Sequence, residues 1–278
     1  MTGTPALLLG IDFSSRPTPR KSIVLACGKA HGAALRLSAI HRFASNVEFS
    51  AWLDAHPAWV GGFDLPFGLP RELVQHLHWP TDWAACIAHY CGLDRASIRA
   101  SFAAFCDARP AGGKFAHRAC DRPAGSSPSM KWVNPPVAYM LHAGLPQLQA
   151  VGASFPAHAH VGTRPERIAL EAYPALLARQ FIGRRSYKAD DRTKQTPERL
   201  IARLDLIDAL ARGQPLPGSP IAHRIVLSDA QRDAMSMDAS GDTLDAVLCL
   251  AQAAWASGQL NWGLPAGVDR LEGWIVGA

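Results

Sequence analysis

The sequence predicts an α/β protein built on a mixed sheet flanked by helices. Three apolar segments separated by turn signals open the chain, at residues 6–13, 22–27 and 34–40, and they read as an antiparallel meander. A segment with helical spacing (46–55) then leads into a short apolar run in "AWVGGFDLPFGLP" (58–70). Extended and helical patterns alternate again at 166–182 and 240–259, as they do when further strands join a sheet through helices.

The first strand follows "PALLL" and continues into "GIDFSS" (10–15). It is almost continuously apolar, as a strand buried on both faces is, yet it carries Asp12. A carboxylate there stays charged only at an exposed strand end or beside a cation or donor. "SRPTPRK" turns the chain into "SIVLAC" (22–27), and "GKAHG" turns it into "ALRLSAI" (34–40). The helix at 46–55 has Ser45 or Asn46 available as its cap. The strand after it ends at Asp64, before a proline-rich turn.

Residues 71–150 interrupt this rhythm with helix-like pieces (71–77, 81–90, 95–108) and a Gly/Pro/Ser-rich loop (109–136). No linker flanks them, so the chain reads as a single domain, 1–278, with an insertion at about 71–150. "ERIALEAYPALLARQFI" (166–182) is a strand running into a helix, with Glu171 at the junction. "TPERLIARLDLIDALARG" (196–213) is an amphipathic helix with Thr196 at its N-cap. "SDAQRDAMSM" (228–237) is a short helix capped by Ser228, and 240–259 is an Ala/Leu-rich helix. "GWIVGA" is a final extended piece.

With 278 residues, 48% hydrophobic and 18% charged, the chain is globular and long enough for a sizeable core. No apolar run approaches the roughly 20 residues of a membrane helix. No basic region precedes the short N-terminal apolar run, as it does in a secretory signal. The six cysteines (Cys27, Cys86, Cys91, Cys106, Cys120, Cys249) form no CxxC pair and read as reduced thiols. These features predict a cytoplasmic protein without a membrane partner. Cys106, His117 and Cys120 fit no standard zinc spacing.

The net charge of +5 permits an anionic partner without requiring one. The basic residues cluster at 109–131 (Arg109, Lys114, Arg118, Arg122, Lys131) and at 179–194 (Arg179, Arg184, Arg185, Lys188, Arg192, Lys194). Each alone is an ordinary solvated charge; two clusters beside acidic residues define a candidate anion-binding face.

Five acids sit in apolar surroundings at element ends: Asp12, Asp64, Glu171, Asp242 and Asp245. Asp242 and Asp245, three apart on a helix, share a face. A cap or first-turn role accounts for Asp242. Asp245 lies between Leu244 and "AVLCLA", on or beside the buried face. Buried carboxylates that face one another repel unless a divalent cation lies between them, and hard oxygen ligands favour Mg²⁺ or Mn²⁺ over zinc.

A meander with an acid on its first strand, a helix, a strand ending in an acid and a late helix with acids three apart resembles the RNase H-like fold. The "DTLDA" helix is similar to the terminal helix of RuvC-type Holliday-junction resolvases. More closely, the chain resembles a domain-of-unknown-function family of predicted RNase H-like nucleases. That likeness rests on the ordered set "GIDFSS", "FDLPFGLP", "RPAGGKFAHRACD", "NPPVAYM", "EAYPALLAR", "SYKADD" and "GDTLDAVLCLAQAAWA". It implies that Asp12, Asp64 and Asp242 or Asp245 are metal ligands, and that two Mg²⁺ ions serve phosphodiester hydrolysis. RNase H proper has a glutamate on its first helix; here the matching helix offers only Glu48, near its start, so either Glu171 replaces it or the site follows the RuvC pattern without it.

Glu171 is equally a partner for Lys188 or Arg185. Lys114, Arg118 and Lys131, in the loop-rich insertion, and Arg185 and Lys188, in the second cluster, are the candidates for substrate phosphates. His117 is a candidate proton carrier or a solvated loop histidine. Tyr173 and Tyr187 read as packing residues. The expected partner is nucleic acid, DNA and RNA being undistinguished. The competing readings are a non-enzymatic nucleic-acid-binding module with a relic site and a phosphotransferase of the actin and sugar-kinase type. The latter lacks support, since "DFSSRPTPRK" has no glycine and no GxxxxGK[ST] exists. No GxSxG marks a serine hydrolase.

Overall fold

The computed structural model describes residues 7–213 and 223–278; Ala6, where the first strand is expected to begin, lies outside them. The described residues form a sheet of six strands: β1 (Leu7–Asp12), β2 (Ile23–His31), β3 (Ala34–Phe43), β4 (Trp59–Asp64), β5 (Arg167–Glu171) and β6 (Arg224–Val226). The order is β5-β4-β1-β2-β3-β6. β2 is antiparallel to β1 and to β3, whereas β1–β4, β4–β5 and β3–β6 are parallel. The predicted mixed α/β sheet is thus observed.

Its helices are α1 (Asn46–Asp54), α2 (Arg71–His76), α3 (Trp83–Gly92), α4 (Arg95–Asp107), α5 (Asp121–Ala124), α6 (Val137–Ala150), α7 (Pro174–Ile182), α8 (Pro197–Arg212), α9 (Asp229–Met237) and α10 (Asp242–Ser257). Among the described residues, no helix is long and apolar enough to cross a membrane.

Local chemistry explains where these elements begin and end. β2 runs through most of "GKAHG" to His31, and the hairpin to Ala34 closes over two residues. Gly32 takes φ +59° at the first of them, a conformation that favours glycine. Ser45 caps α1 by accepting from the Glu48 N–H, while Glu48 accepts from the Ala44 N–H, so Glu48 is spent on the cap. Ser228 and Gln231 form a complete capping box on α9. Gly241, at φ +79°, is the N-cap of α10, which makes Asp242 the first residue inside that helix.

The two-residue strand period sorts the core into two layers. Leu9, Ile11, Leu25, Trp59 and Phe63 face one side, where they pack with residues of α1–α4 and α6. The helices of the insertion therefore share a core with the sheet. Leu8, Val24, Ala26, Val60 and Leu170 face the other side, with α7–α10.

On that second side α10 lies directly on the strands. A Cβ on Gly10 would stand 2.0 Å from the Leu250 nitrogen and 2.1 Å from the Ala246 carbonyl oxygen. One on Gly62 would stand 2.5 Å from the Cys249 oxygen. Only glycine permits this approach, and it brings the first turn of α10 to the ends of β1 and β4.

Candidate metal centre

Leu8, Gly10 and Asp12 alternate toward α10 along β1, and Val60, Gly62 and Asp64 do the same along β4. Asp12 and Asp64 pair in register at the strand ends, and α10 brings Asp245 to them. One carboxylate oxygen from each of the three lies within 4.8 Å of the other two. Asp12 is 9% exposed and Asp245 is fully buried. Among the described residues no group donates a hydrogen bond to the Asp12 or Asp64 carboxylate.

Burial pushes the Asp12 carboxyl well above its ordinary value, and the charges of Asp245, Asp242 and Asp64 add to the rise. Burial, then Asp245, lifts Asp64 to about 7, with Lys188 opposing. Asp245 is raised by burial and pulled back by Lys188 and by Tyr187. The three carboxylates, those of Asp12 and Asp64 without a donor among the described residues, form a hard, oxygen-only donor set, and the residues fit an ion of the Mg²⁺ or Mn²⁺ class. Among the described residues this is the only convergence of three or more potential ligands.

Asp245 has internal partners. The Tyr187 hydroxyl donates to its Oδ1 at 2.5 Å, and Lys188 Nζ forms an ion pair with its Oδ2. Lys188, expected at substrate phosphate, thus has its ammonium among the acids, with its side chain 40% exposed. Tyr187, expected to be a packing residue, also holds the site. The adjacency of Tyr and Lys in "SYKADD" was the available signal. One turn along α10 from Asp245, Cys249 is wholly buried, and burial raises its thiol far above reactive values.

Asp242 does not join the three. It is 5% exposed and pairs with Lys21 Nζ at 3.2 Å, which also bonds Asp190 at 2.9 Å. Of the two α10 acids expected as ligands, only Asp245 enters the cluster.

Glu171 and Arg118 correct the sequence expectation more strongly. Arg118 Nη1 and Nη2 donate to the two Glu171 oxygens at 2.7 and 2.6 Å, and the Phe67 N–H donates to Oε2 at 3.0 Å. Arg118 Nε and Nη2 donate to Asp121 Oδ1 at 3.2 and 2.9 Å, and Nη1 donates to the Glu272 carbonyl at 3.2 Å. All five guanidinium N–H groups are thus spent. Arg118 is 2% exposed, so it is a buried bracket for carboxylates and not a solvated phosphate contact. Glu171 is paired with Arg118 and not with Lys188 or Arg185; it stays outside the three-aspartate cluster, although its charge adds to the rise of Asp64.

Lys114 and Lys131 line a shallow concavity of about 380 Å³ with His117. Arg185 pairs with Asp205 at 2.6 Å and borders a larger basic concavity, about 530 Å³, with Arg179, Arg184 and Lys188. The six cysteines are free. Cys106, His117 and Cys120 do not converge, and burial pushes the Cys120 thiol up to about 12.

Fold and site together define an α/β protein with a three-aspartate cluster, closed on one side by the fully buried Asp245, where two parallel strands meet a helix. Residues 10–267 match the family described as "Protein of unknown function (DUF429)", and the chain belongs to that family. No curated protein and no solved structure matches it.

Proposed function

We propose that the protein is a metal-dependent nuclease of RNase H-like fold, in which Asp12, Asp64 and Asp245 hold Mg²⁺ or Mn²⁺ and the substrate is a nucleic-acid phosphodiester. One observation carries this reading: three carboxylates from three separate elements, that of Asp245 fully buried and those of Asp12 and Asp64 partly so, meet within 4.8 Å. Isolated, such a group is costly; around a divalent cation it is a ligand set. The meander followed by parallel β4 and β5, with acids on β1, β4 and α10, supports the RNase H-like, RuvC-type assignment.

When bound, the cation supplies an activated water at neutral pH and draws charge from the phosphodiester. The chain's own part is positional. Asp12 and Asp64 stand on adjacent strand ends, which fixes their separation, and Asp245 comes from a helix buried against those strands. Lys188 offsets part of the carboxylate charge and offers a cation to substrate phosphate. The buried Arg118–Glu171–Asp121 network holds the 118–126 segment against the end of β5 beside Asp64.

Calorimetric titration of Mn²⁺ tests the reading, beside cleavage of single-stranded, duplex and branched DNA and RNA. Wild type binds Mn²⁺ and cleaves; Asp12→Asn loses both. Absence of Mn²⁺ heat together with absence of cleavage on every substrate overturns it. The Lys188–Asp245 ion pair favours one second reading, a nucleic-acid-binding module in which lysine has replaced the metal as counter-charge. In that case wild type and Asp245→Asn bind nucleic acid equally without Mn²⁺, and neither cleaves.

A further inference from the structure

A cavity of about 150 Å³ opens directly beside Asp64. Leu65, Val137, Met140 and Ala172 give it apolar walls, and Tyr173, Ser126 and Ser127 add a ring and two hydroxyls. Ser126 already bonds Asp121 Oδ1 at 3.1 Å, whereas the half-buried Ser127 hydroxyl has no partner among the described residues. Pockets for drug-sized ligands begin at about 300 Å³, so this one suits a single flat ring system with a polar edge.

The cavity has a counterpart across one turn of chain. Gly125 borders the basic concavity of about 530 Å³, while its neighbour Ser126 borders the apolar cavity. Arg179 forms the partition. Its guanidinium lies 5.4 Å from the Tyr173 ring centroid and donates to the Gly125 carbonyl at 3.3 Å. On the basic side Lys188 reaches Asp245, and on the apolar side Asp64 is itself a wall. The acids therefore lie between a ring-sized cavity of mostly apolar walls, with the mutually paired Arg118 and Glu171 also on its lining, and a cationic trough, which is the polarity of one nucleotide, base on one side and phosphates on the other.

We propose that the cavity beside Asp64 takes one unpaired nucleobase of a strand whose phosphates lie along Arg184 and Lys188. The proposal rests on the nuclease reading and narrows its substrate to nucleic acid that is single-stranded, or flipped out, at that nucleotide. A base engaged in the cavity cannot also be paired, and duplex must pay unstacking before it fits. The ring of Tyr173 offers a stacking surface that tolerates any base. An apolar peptide side chain would also fill the cavity, but it would leave the cationic trough without a partner.

The test is fluorescence anisotropy on the full chain in Mn²⁺, with an oligothymidylate, an abasic backbone of the same length and the corresponding duplex. The oligothymidylate should bind about tenfold more tightly than the abasic strand, the scale of one stacked base. Val137→Trp, which fills the cavity, should bring the oligothymidylate to the abasic level and leave abasic affinity as in wild type. Ser127→Ala, a milder change, should reduce the preference in the same direction if the tryptophan variant does not fold. Arg184→Ala should weaken both strands equally and lower the salt slope. Equal binding of the based and abasic strands overturns the proposal, as does a preference for duplex or displacement of the oligonucleotide by an apolar peptide. Mn²⁺ heat and cleavage that persist without a base preference overturn it alone. Failure of the nuclease reading is registered separately, by calorimetry.

Discussion

Asp12 and Asp64 are register partners on adjacent parallel strands, and each stands two residues beyond a glycine crossed by α10. Because side chains alternate along a strand, the glycine and the aspartate share a face. The same missing side chains that let α10 approach therefore set the distance from Asp245 to both strand acids. Packing and site geometry are one constraint here.

Gly10→Ala tests that constraint. The new Cβ would meet helix backbone at 2.0 Å, which no rotamer change relieves. Overpacking costs about 1–3 kcal/mol and occasionally more, and this substitution belongs at the upper end. Urea denaturation should show a loss of at least about 3 kcal/mol, with Mn²⁺ affinity falling in whatever fraction folds. Gly92→Ala, at the end of α3 with open space around it, should be neutral or stabilising by up to about 1 kcal/mol. Similar costs for the two would refute the close-approach argument.

The metal-free protein should carry a pH signature. The Asp64 carboxyl is raised from 3.8 to about 7, so folding favours its protonated form. That contribution is fully present below pH 3.8 and is lost as pH rises through 7. The stability of Asp64→Asn minus that of wild type should therefore grow between pH 4 and 7 and level off above 8, by on the order of a few kcal/mol. Asp12 and Asp245 shift in the same direction in both proteins, so they enter the difference only through their repulsion with Asp64. His158, lowered by burial to about 3, acts in the opposite sense but is common to both proteins and cancels. A flat difference would show that Asp64 is not desolvated.

Arg118 should behave as a structural cation. Arg118→Met leaves Glu171 and Asp121 buried without their counter-charge, at a cost of about 3–5 kcal/mol. Arg118→Lys should recover little, since three donors on a point charge cannot replace five in a planar fork. Folded Arg118→Lys should still bind Mn²⁺, because Arg118 does not touch the three aspartates. A normal melting temperature with weakened nucleic-acid binding would return Arg118 to the phosphate role.

Much of the frame was legible in the sequence, because the first strands, α1 and β4 carry their own periodicity, turns and caps. α6 was not: it follows Pro135 and Pro136 and contains Gly144 and Pro146, all breaker signals. It persists because its buried residues, Leu141 and Leu145 among them, enter the core beneath the sheet. β6 has only three residues and owes its extended form to pairing with β3. The strand-end acids were legible as carboxylates in apolar runs. Their partners were not, since Tyr187 and Lys188 lie 58 and 57 residues from Asp245 and Arg118 lies 53 from Glu171. Local pattern identifies a charge that needs neutralising, whereas the topology selects which distant residue supplies the neutralisation.

Lys188 and a divalent cation should compete for Asp245. Lys188→Met removes the ammonium and keeps much of the aliphatic stem. In metal-free buffer this leaves three carboxylates with less compensation, and stability should fall by about 2 kcal/mol. That is below the cost of breaking a wholly buried pair, because the lysine side chain is 40% exposed. In Mn²⁺ the order should reverse. The variant has no internal cation to displace, so it should bind the ion more tightly and show the larger rise in melting temperature, by the linkage that stabilises any native state with a bound ligand. Cleavage should nonetheless fall if Lys188 also meets substrate phosphate, which separates metal retention from catalysis in one protein. Mn²⁺ affinity equal to or below that of wild type would mean that Lys188 helps to position Asp245 for the metal and does not compete with it, and the exchange of one cation for the other would be excluded.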